Sequence, residues 1–149
     1  MKLQDFDFRI WYDISECYVE NPYIASFHSA DKIIGGQVYH DFGKCPDFVD
    51  FDTDSLKIEL FSGCYDKNSK KIYEGDILEY EALEELYHIT RDNTYKMFKI
   101  EIFSKNFNNK IYKRKAEPDI SFLKVFKSEK NMKVIGNIHE NADLLVVKE

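Results

Sequence analysis

The chain has 149 residues, of which 44% are hydrophobic and 15% aromatic, and its formal net charge is −6. This length suits one domain or two small ones, and 6 Gly with 3 Pro are too few for a disordered or low-complexity chain. No apolar run approaches the roughly 18 residues of a membrane-spanning helix, and the start, MKLQDFDFRIW, lacks the uncharged apolar core of a secretory signal.

The N-terminal region predicts an irregular set of strands. Residues 5–12 alternate between apolar and polar side chains, as in a half-buried strand. A second strand is expected over residues 16–24, and Gly35-Gly36 predicts a turn. Residues 41–55, DFGKCPDFVDFDTDS, are rich in Asp with Gly and Pro, which indicates a loop or linker.

The most informative stretch is SGCYDKNSKKIYEGDIL at residues 62–78, which follows an alternating strand at residues 56–61. Turn signals occur at Gly63, at the DKNS cluster of residues 66–69 and at Gly75. Asn, Asp and Gly tolerate left-handed backbone, and Asp or Asn side chains can bond the backbone two residues on. The stretch therefore predicts a tight loop, a short strand, a kink and another strand.

The segment after this motif predicts one helix and one β-hairpin. Residues 81–91, EALEELYHITR, hold good helix formers and indicate a short helix. Apolar and polar side chains alternate over residues 97–103, and the cluster of Asn at residues 106–109 indicates a turn. Residues 110–114 are then expected to form the second strand of a β-hairpin.

The C-terminal part predicts two further strands, at residues 120–126 and 132–138. Asn141 is expected to cap a helical turn at residues 142–146. The elements together indicate a mainly β fold, with α+β as the alternative, and one or two short helices.

Three sequence motifs resemble those of one protein family. SGCYDKNSKKIYEGDI resembles the signature of the YopX family of phage and prophage proteins, and GNIHEN followed by ADLL is similar to the closing motif of that family. The opening Phe8-Arg9-Ile10-Trp11 is similar to its FRxW start. Departures from the family pattern are Ser62 for Thr, Ser69 for Gly, His139 for Tyr and Ala142 for Pro.

The resemblance implies a small SH3-like β-barrel in the C-terminal part; because the family has no assigned activity, we carry over no catalytic residue and no cofactor from it. We therefore expect a β-rich region at residues 1–55 and a barrel domain at residues 56–149, with a long insertion at about residues 81–133. The motif residues that we expect to be structural are Gly63, Asp66, Tyr73, Glu74, Gly75, Asp76, Gly136, Asn137 and Asn141.

Acid–base chemistry is one alternative for the motif, because Asp66, Glu74 and Asp76 are close in sequence and paired carboxyl groups are its usual agents. Turn-forming roles are the favoured explanation, because Asp66 suits an Asx-turn and Glu74-Gly75-Asp76 suits a β-turn or bulge. Phosphate-loop chemistry is not indicated, since Gly35-Gly36 is not followed by Gly-Lys-Ser/Thr and no GxGxxG occurs.

The Cys and His residues predict no metal site. His40 and Cys45 form the one close pair, whereas Cys17, His28 and Cys64 are scattered, and zinc sites use closely spaced pairs. An odd number of Cys without such spacing fits reduced thiols in the cytoplasm. A nucleophile pair of Cys64 with His88 or His139 stays open, although a buried Cys usually acts as a small hydrophobe.

Charge is unevenly distributed along the chain. Residues 1–90 hold 8 Lys and Arg against 19 Asp and Glu, whereas residues 91–133 hold 12 against 5. Such asymmetry can mark a partner surface, but the two regions can also attract each other within one fold.

Residues 96–133 of this basic region carry the candidate nucleic-acid contacts. Basic groups neutralise phosphates and aromatic faces stack on bases, so this mixture suits single-stranded nucleic acid. A solvated hairpin with its aromatic side chains in the core is the structural alternative. The candidate contacts are Lys105, Phe107, Lys110, Tyr112, Lys113, Arg114 and Lys115.

We interpret the chain as a phage- or prophage-encoded accessory protein of the bacterial cytoplasm without enzymatic activity. A module that binds a host or phage protein, or a second copy of itself, is the leading hypothesis, because small barrels expose edge strands. Trp11 and Tyr12 are candidate interface anchors. Single-stranded nucleic-acid binding and an uncharacterised enzyme are the two alternatives.

Overall fold

The structure is a computed structural model, and it describes residues 2–26, 32–39, 46–49, 54–92, 94 and 97–147. It is mainly β with two short α-helices, which confirms the predicted fold class. Contacts divide the chain into two compact units, Met1–Leu60 and Phe61–Glu149. The boundary predicted between residues 55 and 56 falls at the start of a strand that runs across this division.

The elements of both units follow in chain order. The strands are β1 (Phe8–Tyr12), β2 (Cys17–Tyr18), β3 (Glu20–Ser26), β4 (Lys32–Tyr39), β5 (Pro46–Val49), β6 (Leu56–Tyr65), β7 (Lys71–Tyr73), β8 (Asp76–Tyr80), β9 (Glu85–Asp92), β10 (Met97–Lys105), β11 (Ile111–Lys113) and β12 (Lys133–Asn137). The α-helices are α1 (Ser121–Val125) and α2 (Ser128–Asn131). Short 3₁₀ helices lie at Leu3–Asp5, Glu81–Leu83 and Ala142–Leu145.

The first unit contains two antiparallel sets of strands. β1 pairs with β2 and with the first half of β6, while β4 lies between β3 and β5 and pairs with both. Ile10, Val19 and Leu56 form a buried apolar cluster. The buried carboxylate of Glu59 accepts hydrogen bonds from Arg9 at 2.6 Å and Tyr18 at 3.0 Å, which compensates for its loss of hydration.

The predicted turn at Gly35-Gly36 is wrong, because both glycines lie inside β4. A Cβ atom on Gly36 would lie 2.7 Å from Cγ2 of Val19 and 2.8 Å from the backbone oxygen of Glu20. The glycine therefore permits close approach of neighbouring backbone, the other common reason for Gly inside a strand.

Two further expectations for the first unit need correction. The stretch 41–55 is not a continuous loop, since β5 lies within it; residues 41–45 and 50–53 lie outside the described part. Trp11 is 4% exposed and packs edge-on against Tyr18, with 5.0 Å between the ring centroids, so it is a core residue rather than a surface anchor.

The second unit is built on an antiparallel sheet with the strand order β11-β10-β9-β8-β12, curled into a half-barrel. Two of its three inner strands, β9 and β10, come from the segment expected to be an insertion. The second half of β6 pairs with β7, with a register shift around Gly63. The main core of this unit comprises Cys64, Ile72, Leu78, Tyr87, Ile89, Ile100, Ile102, Leu123, Met132 and Val134.

The helix predicted at residues 81–91 is wrong. A single 3₁₀ turn is followed by Glu84 at a left-handed φ of 51°, and β9 begins at the next residue. β9 is buried on both faces, with Leu86 on one face and Tyr87 and Ile89 on the other. Helix propensities differ by only a few tenths of a kcal/mol per residue, so burial of these side chains in the sheet decides the conformation.

The strand predicted at residues 120–126 is also wrong, because α1 lies there. Asp119 Oδ1 accepts a hydrogen bond from the Ser121 N–H at 2.8 Å, which favours a helical turn. Apolar residues at helical spacing then pack together: the rings of Phe122 and Phe126 are 4.3 Å apart, and Leu123 is buried.

The predicted hairpin of residues 97–114 is confirmed as β10 and β11, and its loop has the same geometry as the DKNS loop. In each loop the side-chain oxygen of the first residue, Asp66 or Asn106, accepts hydrogen bonds from the N–H groups two and four residues on, at 2.8–3.0 Å. The fourth residue, Ser69 or Asn109, has a positive φ of 61° or 55°. Asp and Asn can both supply this oxygen, which explains the shared geometry.

Candidate functional site

The DKNS loop is held to the start of β12 by Asp66, which is 2% exposed. Besides the loop bonds of its Oδ1 atom, its Oδ2 atom accepts a hydrogen bond from the Val134 N–H at 2.9 Å. The Lys67 N–H donates to the Met132 carbonyl oxygen at 2.8 Å. The carboxylate thus satisfies backbone donors that would otherwise lie buried without partners.

The chain turns sharply at Glu74-Gly75-Asp76, where Gly75 has a φ of 86°. The backbone of Gly75 connects this turn to β9 and to the segment after β12. Its N–H donates to Ile89 at 2.7 Å and its carbonyl oxygen accepts from the Ile138 N–H at 2.8 Å. Asp76 is buried and accepts a hydrogen bond from the Tyr73 N–H at 2.8 Å.

Glu74, the remaining acidic residue of the motif, belongs to an ion pair. Its Oε2 atom lies 3.1 Å from Nε of Arg91, and the two groups form an ion pair without a hydrogen bond between these atoms. The three motif carboxylates therefore contact separate groups, namely backbone N–H groups for Asp66 and Asp76 and a guanidinium group for Glu74.

The closing motif GNIHEN forms a compact turn in which Asn137 and Asn141 bond the backbone of neighbouring residues. Asn141 Oδ1 accepts from the Asn137 N–H at 3.1 Å, and Asn137 Oδ1 accepts from the N–H groups of His139 and Glu140 at 3.0 Å each. A Cβ atom on Gly136 would overlap this arrangement, since it would lie 2.6 Å from Cγ of Asn141. The predicted helical turn is present as the 3₁₀ helix Ala142–Leu145, and Asn141 precedes it as the N-cap residue, but the side chain of Asn141 makes no capping bond to that helix.

A groove opens on the face of the half-barrel sheet that lies opposite the main core. Register pairs Glu79 with Leu86, Leu86 with Phe103 and Lys105 with Ile111, and side chains of paired residues share a face. We call the cavity of about 290 Å³ on this face the sheet groove. Its lining comprises Glu79, Leu86, Lys105, Asn109, Ile111, Ile135, Asp143, Leu144 and Val146.

β11 is an edge strand that lies beside the sheet groove. The Lys110 carbonyl oxygen accepts from Asn106 and the Arg114 N–H donates to Ile102, so even-numbered residues turn their backbone toward β10. Backbone polar groups alternate in direction along a strand. The N–H and C=O groups of Ile111 and Lys113 therefore point away from the sheet.

The basic residues of the hairpin fall into two groups. Lys113 binds Glu101 and also lies 3.2 Å from Glu117, and Arg114 lies 2.9 Å from Glu85. Within the part of the chain that the structure describes, Lys105, Lys110 and Lys115 form no ion pair. They lie at the exposed end and flank of the hairpin, where Phe107 is fully exposed at the loop tip and Tyr112 is exposed on β11.

Glu101 lies on the groove face between two donors. Its Oε2 atom is 2.8 Å from Nδ1 of His88, and its Oε1 atom accepts from Lys113. Burial raises the pKa of Glu101, but the hydrogen bonds from Lys113 and His88 outweigh burial and hold its pKa below the ordinary value of 4.5.

Glu85 forms a second polar cluster, on the core face. Its carboxylate accepts from the hydroxyl groups of Tyr87 at 2.6 Å and Ser104 at 3.0 Å and from Arg114. Burial, together with the adjacent carboxylate, raises the pKa of Tyr87 well above its ordinary value, so this phenol stays neutral.

The structure places Cys64 in the main core and His88 on the opposite face of β9 from the core residues Tyr87 and Ile89. Burial raises the pKa of the Cys64 thiol, which disfavours the nucleophilic thiolate. His139 lies in the turn after β12. His28, His40 and Cys45 lie outside the described residues.

Among the residues that the structure describes, no three His, Cys, Asp or Glu side chains are grouped so that they could hold a metal ion. None of the described helices has the length and apolar character needed to cross a membrane.

Most groove residues were not among the sequence candidates. Leu86, Ile135 and the pair Leu144 and Val146 come from three separate segments of the chain, and no local pattern connects these segments. Lys105 is the one residue shared by the groove lining and the candidate nucleic-acid contacts.

Comparisons with known proteins agree with this fold. The crystal structure of protein EF1440 from Enterococcus faecalis is similar over 95% of this chain and 98% of that chain, with a TM-score of 0.51. Its sequence identity is 20%, so this likeness concerns the fold alone. No curated protein matches the chain significantly. The family model described as YopX protein matches residues 7–146, and the chain therefore belongs to the YopX family.

Proposed function

We propose that this chain is a phage- or prophage-encoded accessory protein that binds an extended segment of another protein at β11 and the sheet groove. The observation that carries the proposal is an apolar groove directly beside a strand edge whose backbone groups point outward. Extended segments commonly add to such edges, where main-chain bonds supply affinity and side-chain pockets supply specificity.

The two edges of the sheet differ in a way that supports β11 as the binding edge. At β12 the Val134 N–H is already bound by Asp66, so that edge is closed at its start by the DKNS loop. At β11 the outward groups of Ile111 and Lys113 have no backbone partner within the described residues. An added strand would satisfy them.

The size of the groove also fits a peptide side chain. Its volume of about 290 Å³ lies near the lower end of the range for small-molecule pockets, roughly 300–1,000 Å³. Leu86, Ile111 and Ile135 supply apolar surface, and Glu79 and Asp143 supply polar groups. One or two apolar side chains of a bound strand would suit this lining.

A non-enzymatic role is part of the proposal. Asp66 and Asp76 accept hydrogen bonds from backbone N–H groups, and Glu74 pairs with Arg91. None of these carboxylates belongs to the lining of the sheet groove. The carboxylates that do line the groove are Glu79 and Asp143, and the described residues of its lining include no Ser, Cys or His for them to activate.

A substitution pair tests the role of the β11 edge. Ile111→Pro removes the outward N–H without removing a bond to β10, whereas Ile111→Ala removes the side chain and keeps the N–H. We expect a random-peptide library panned on the wild-type chain to yield binders that lose about tenfold or more in affinity to Ile111→Pro relative to Ile111→Ala. Melting temperatures of both variants control for folding.

The contrary results are specific. Binders with equal affinity for both variants would place the interface elsewhere. A library that yields no binder able to shift the amide resonances of Ile111 and Lys113 would contradict the proposal.

Single-stranded nucleic acid is a second candidate because of the hairpin tip. Phe107 is fully exposed there, with Lys105 and Lys110 nearby in sequence, which suits base stacking next to phosphate neutralisation. Against this candidate, Lys113 and Arg114 are engaged by Glu101 and Glu85.

Fluorescence anisotropy with labelled single-stranded DNA and RNA, at low and physiological salt, tests this second candidate. Saturable binding that weakens with salt and is abolished by Phe107→Ala would favour nucleic acid over the protein partner. Absence of binding at low salt would exclude it.

A further inference from the structure

We propose that the segment bound at β11 is acidic, with carboxylate side chains alternating with apolar ones, and that it extends the half-barrel sheet by one strand. This inference rests on the proposed function, since it names the partner chemistry of the same site. Two observations support it: basic residues flank the β11 edge, and the two faces of β11 differ because one of them lines the sheet groove.

Basic residues flank β11 at both ends and are only partly neutralised by nearby carboxylates. Lys110 precedes the strand and Arg114 and Lys115 follow it. Arg114 is paired with Glu85, but Lys110 and Lys115 are exposed and have no ion pair within the described part of the chain. A strand laid along this edge would meet uncompensated positive charge at both ends, which carboxylates complement.

Successive side chains of β11 point to opposite faces of the sheet, and this predicts which side chains of the partner lie on each face. Ile111 faces the sheet groove, and Tyr112 is paired with Ser104 on the opposite face. By the same alternation Lys110 and Arg114 lie on the Tyr112 side. A bound strand would therefore place apolar side chains toward the groove and carboxylates toward the face of Lys110, whose charge is not paired within the described part of the chain.

A second copy of the chain is disfavoured at this edge by the same charges. Antiparallel pairing of two β11 strands about Tyr112 would set Lys110 of one copy opposite Arg114 of the other. It would also set Ile111 opposite Lys113. Like charges directly opposite each other destabilise a strand pair. An acidic segment of a different protein reverses the sign of this interaction.

Three peptides of about six residues, a usual strand length, test the inference on the full chain. In the first, Glu alternates with Val and Leu; in the second Gln replaces Glu, and in the third Lys does. We expect the Glu peptide to shift the amide resonances of Ile111 and Lys113 and to bind about tenfold more tightly than the Gln peptide. This difference should shrink as salt is raised.

A charge reversal provides a matched test on the protein side. Lys110→Glu combined with Lys115→Glu is expected to weaken the Glu peptide about tenfold and to make the Lys peptide the tighter ligand. Lys130→Glu changes the same type of charge on α2, outside the groove lining, and should leave the order of the peptides unchanged.

The possible failures are distinguishable. Equal or tighter binding of the Gln or Lys peptide at Ile111 and Lys113 would overturn the acidic partner while leaving the proposed function in place. If no peptide shifts these amides, both ideas fail. Self-association that perturbs the same amides would assign the edge to a second copy, and an oligonucleotide that does so would assign it to nucleic acid; either would overturn the inference.

Discussion

Gly75 has a φ of 86°, a backbone conformation that residues with a branched Cβ avoid. Its N–H and C=O groups are both bonded, to Ile89 and Ile138, so the backbone cannot relax without loss of these bonds. We expect Gly75→Val to lower the free energy of unfolding by about 1–3 kcal/mol, measured by urea denaturation. An unchanged melting temperature would contradict this role.

Ser69 provides the matched control, because it already has a positive φ of 61° where the family pattern has Gly. Replacement of Ser69 by Gly relieves a left-handed strain but gives the unfolded chain more freedom. We expect these effects to cancel to within about 1 kcal/mol.

Gly136 and Asn141 depend on each other, because the side chain of Asn141 fills the space that a Cβ on Gly136 would need. Gly136→Ala should displace Asn141, break its hydrogen bond to the Asn137 N–H and destabilise the chain by about 1–3 kcal/mol. Asn141→Gly should lose only the hydrogen bond. In the double variant the added cost of Gly136→Ala should nearly vanish, as chemical denaturation of all four chains would reveal. Additive costs would disprove the packing argument.

At the scale of elements, β9 and α1 are two segments whose conformation differs from the one that their local sequence pattern predicts. The residues of β9 have helical propensity, yet Leu86 on one face and Tyr87 on the other are both buried in the sheet. The residues of α1 alternate like a strand, yet Asp119 starts a helical turn that buries Leu123. Short apolar runs carry both periodicities, so the surrounding structure selects between them.

The pairing of β9 with β10 places Glu101 between His88 and Lys113, which leads to a pH-dependent prediction. The pKa of Glu101 is lowered in the folded chain, so the carboxylate contributes stability above its ordinary value of 4.5 that is lost as the pH falls through the folded value. Glu101→Gln should therefore destabilise at neutral pH, and its difference from wild type should shrink toward zero well below pH 4.5.

Glu117→Gln serves as the control for this pH series. Glu117 pairs with the same Lys113 at 3.2 Å, but it is more exposed than Glu101. We expect its removal to change the free energy of unfolding by less than about 1 kcal/mol at neutral pH. A destabilisation by Glu101→Gln that persists unchanged in acid would show that the carboxylate charge is not its cause.

For the whole molecule, part of the uneven charge of the sequence is neutralised by ion pairs within the fold. Arg114 pairs with Glu85 and Arg91 lies against Glu74, so two basic residues of the region 91–133 contact carboxylates of the region 1–90. These two ion pairs favour attraction between the acidic and basic regions of one chain as an explanation for part of the uneven charge. The charges that stay exposed on Lys105, Lys110 and Lys115 define the surface that our proposals concern.

The division into two units leads to a prediction about truncation. The core cluster of the second unit spans Cys64 to Val134, so all of its residues lie within a fragment of residues 56–149, which also keeps β6 whole. We expect this fragment to unfold in one cooperative thermal transition, followed by circular dichroism. Loss of a cooperative transition would show that the second unit requires residues 1–55.

The sequence by itself determined the mainly β character, the hairpin of β10 and β11 and the family. These features depend on alternation and turn chemistry among residues close in the chain, such as the loops begun by Asp66 and Asn106. The tertiary structure alone decided the conformations of β9 and α1, the partners of Lys113 and Arg114, and the sheet groove. Each of these depends on side chains from distant segments, whose burial and charge are set only when the strands pair.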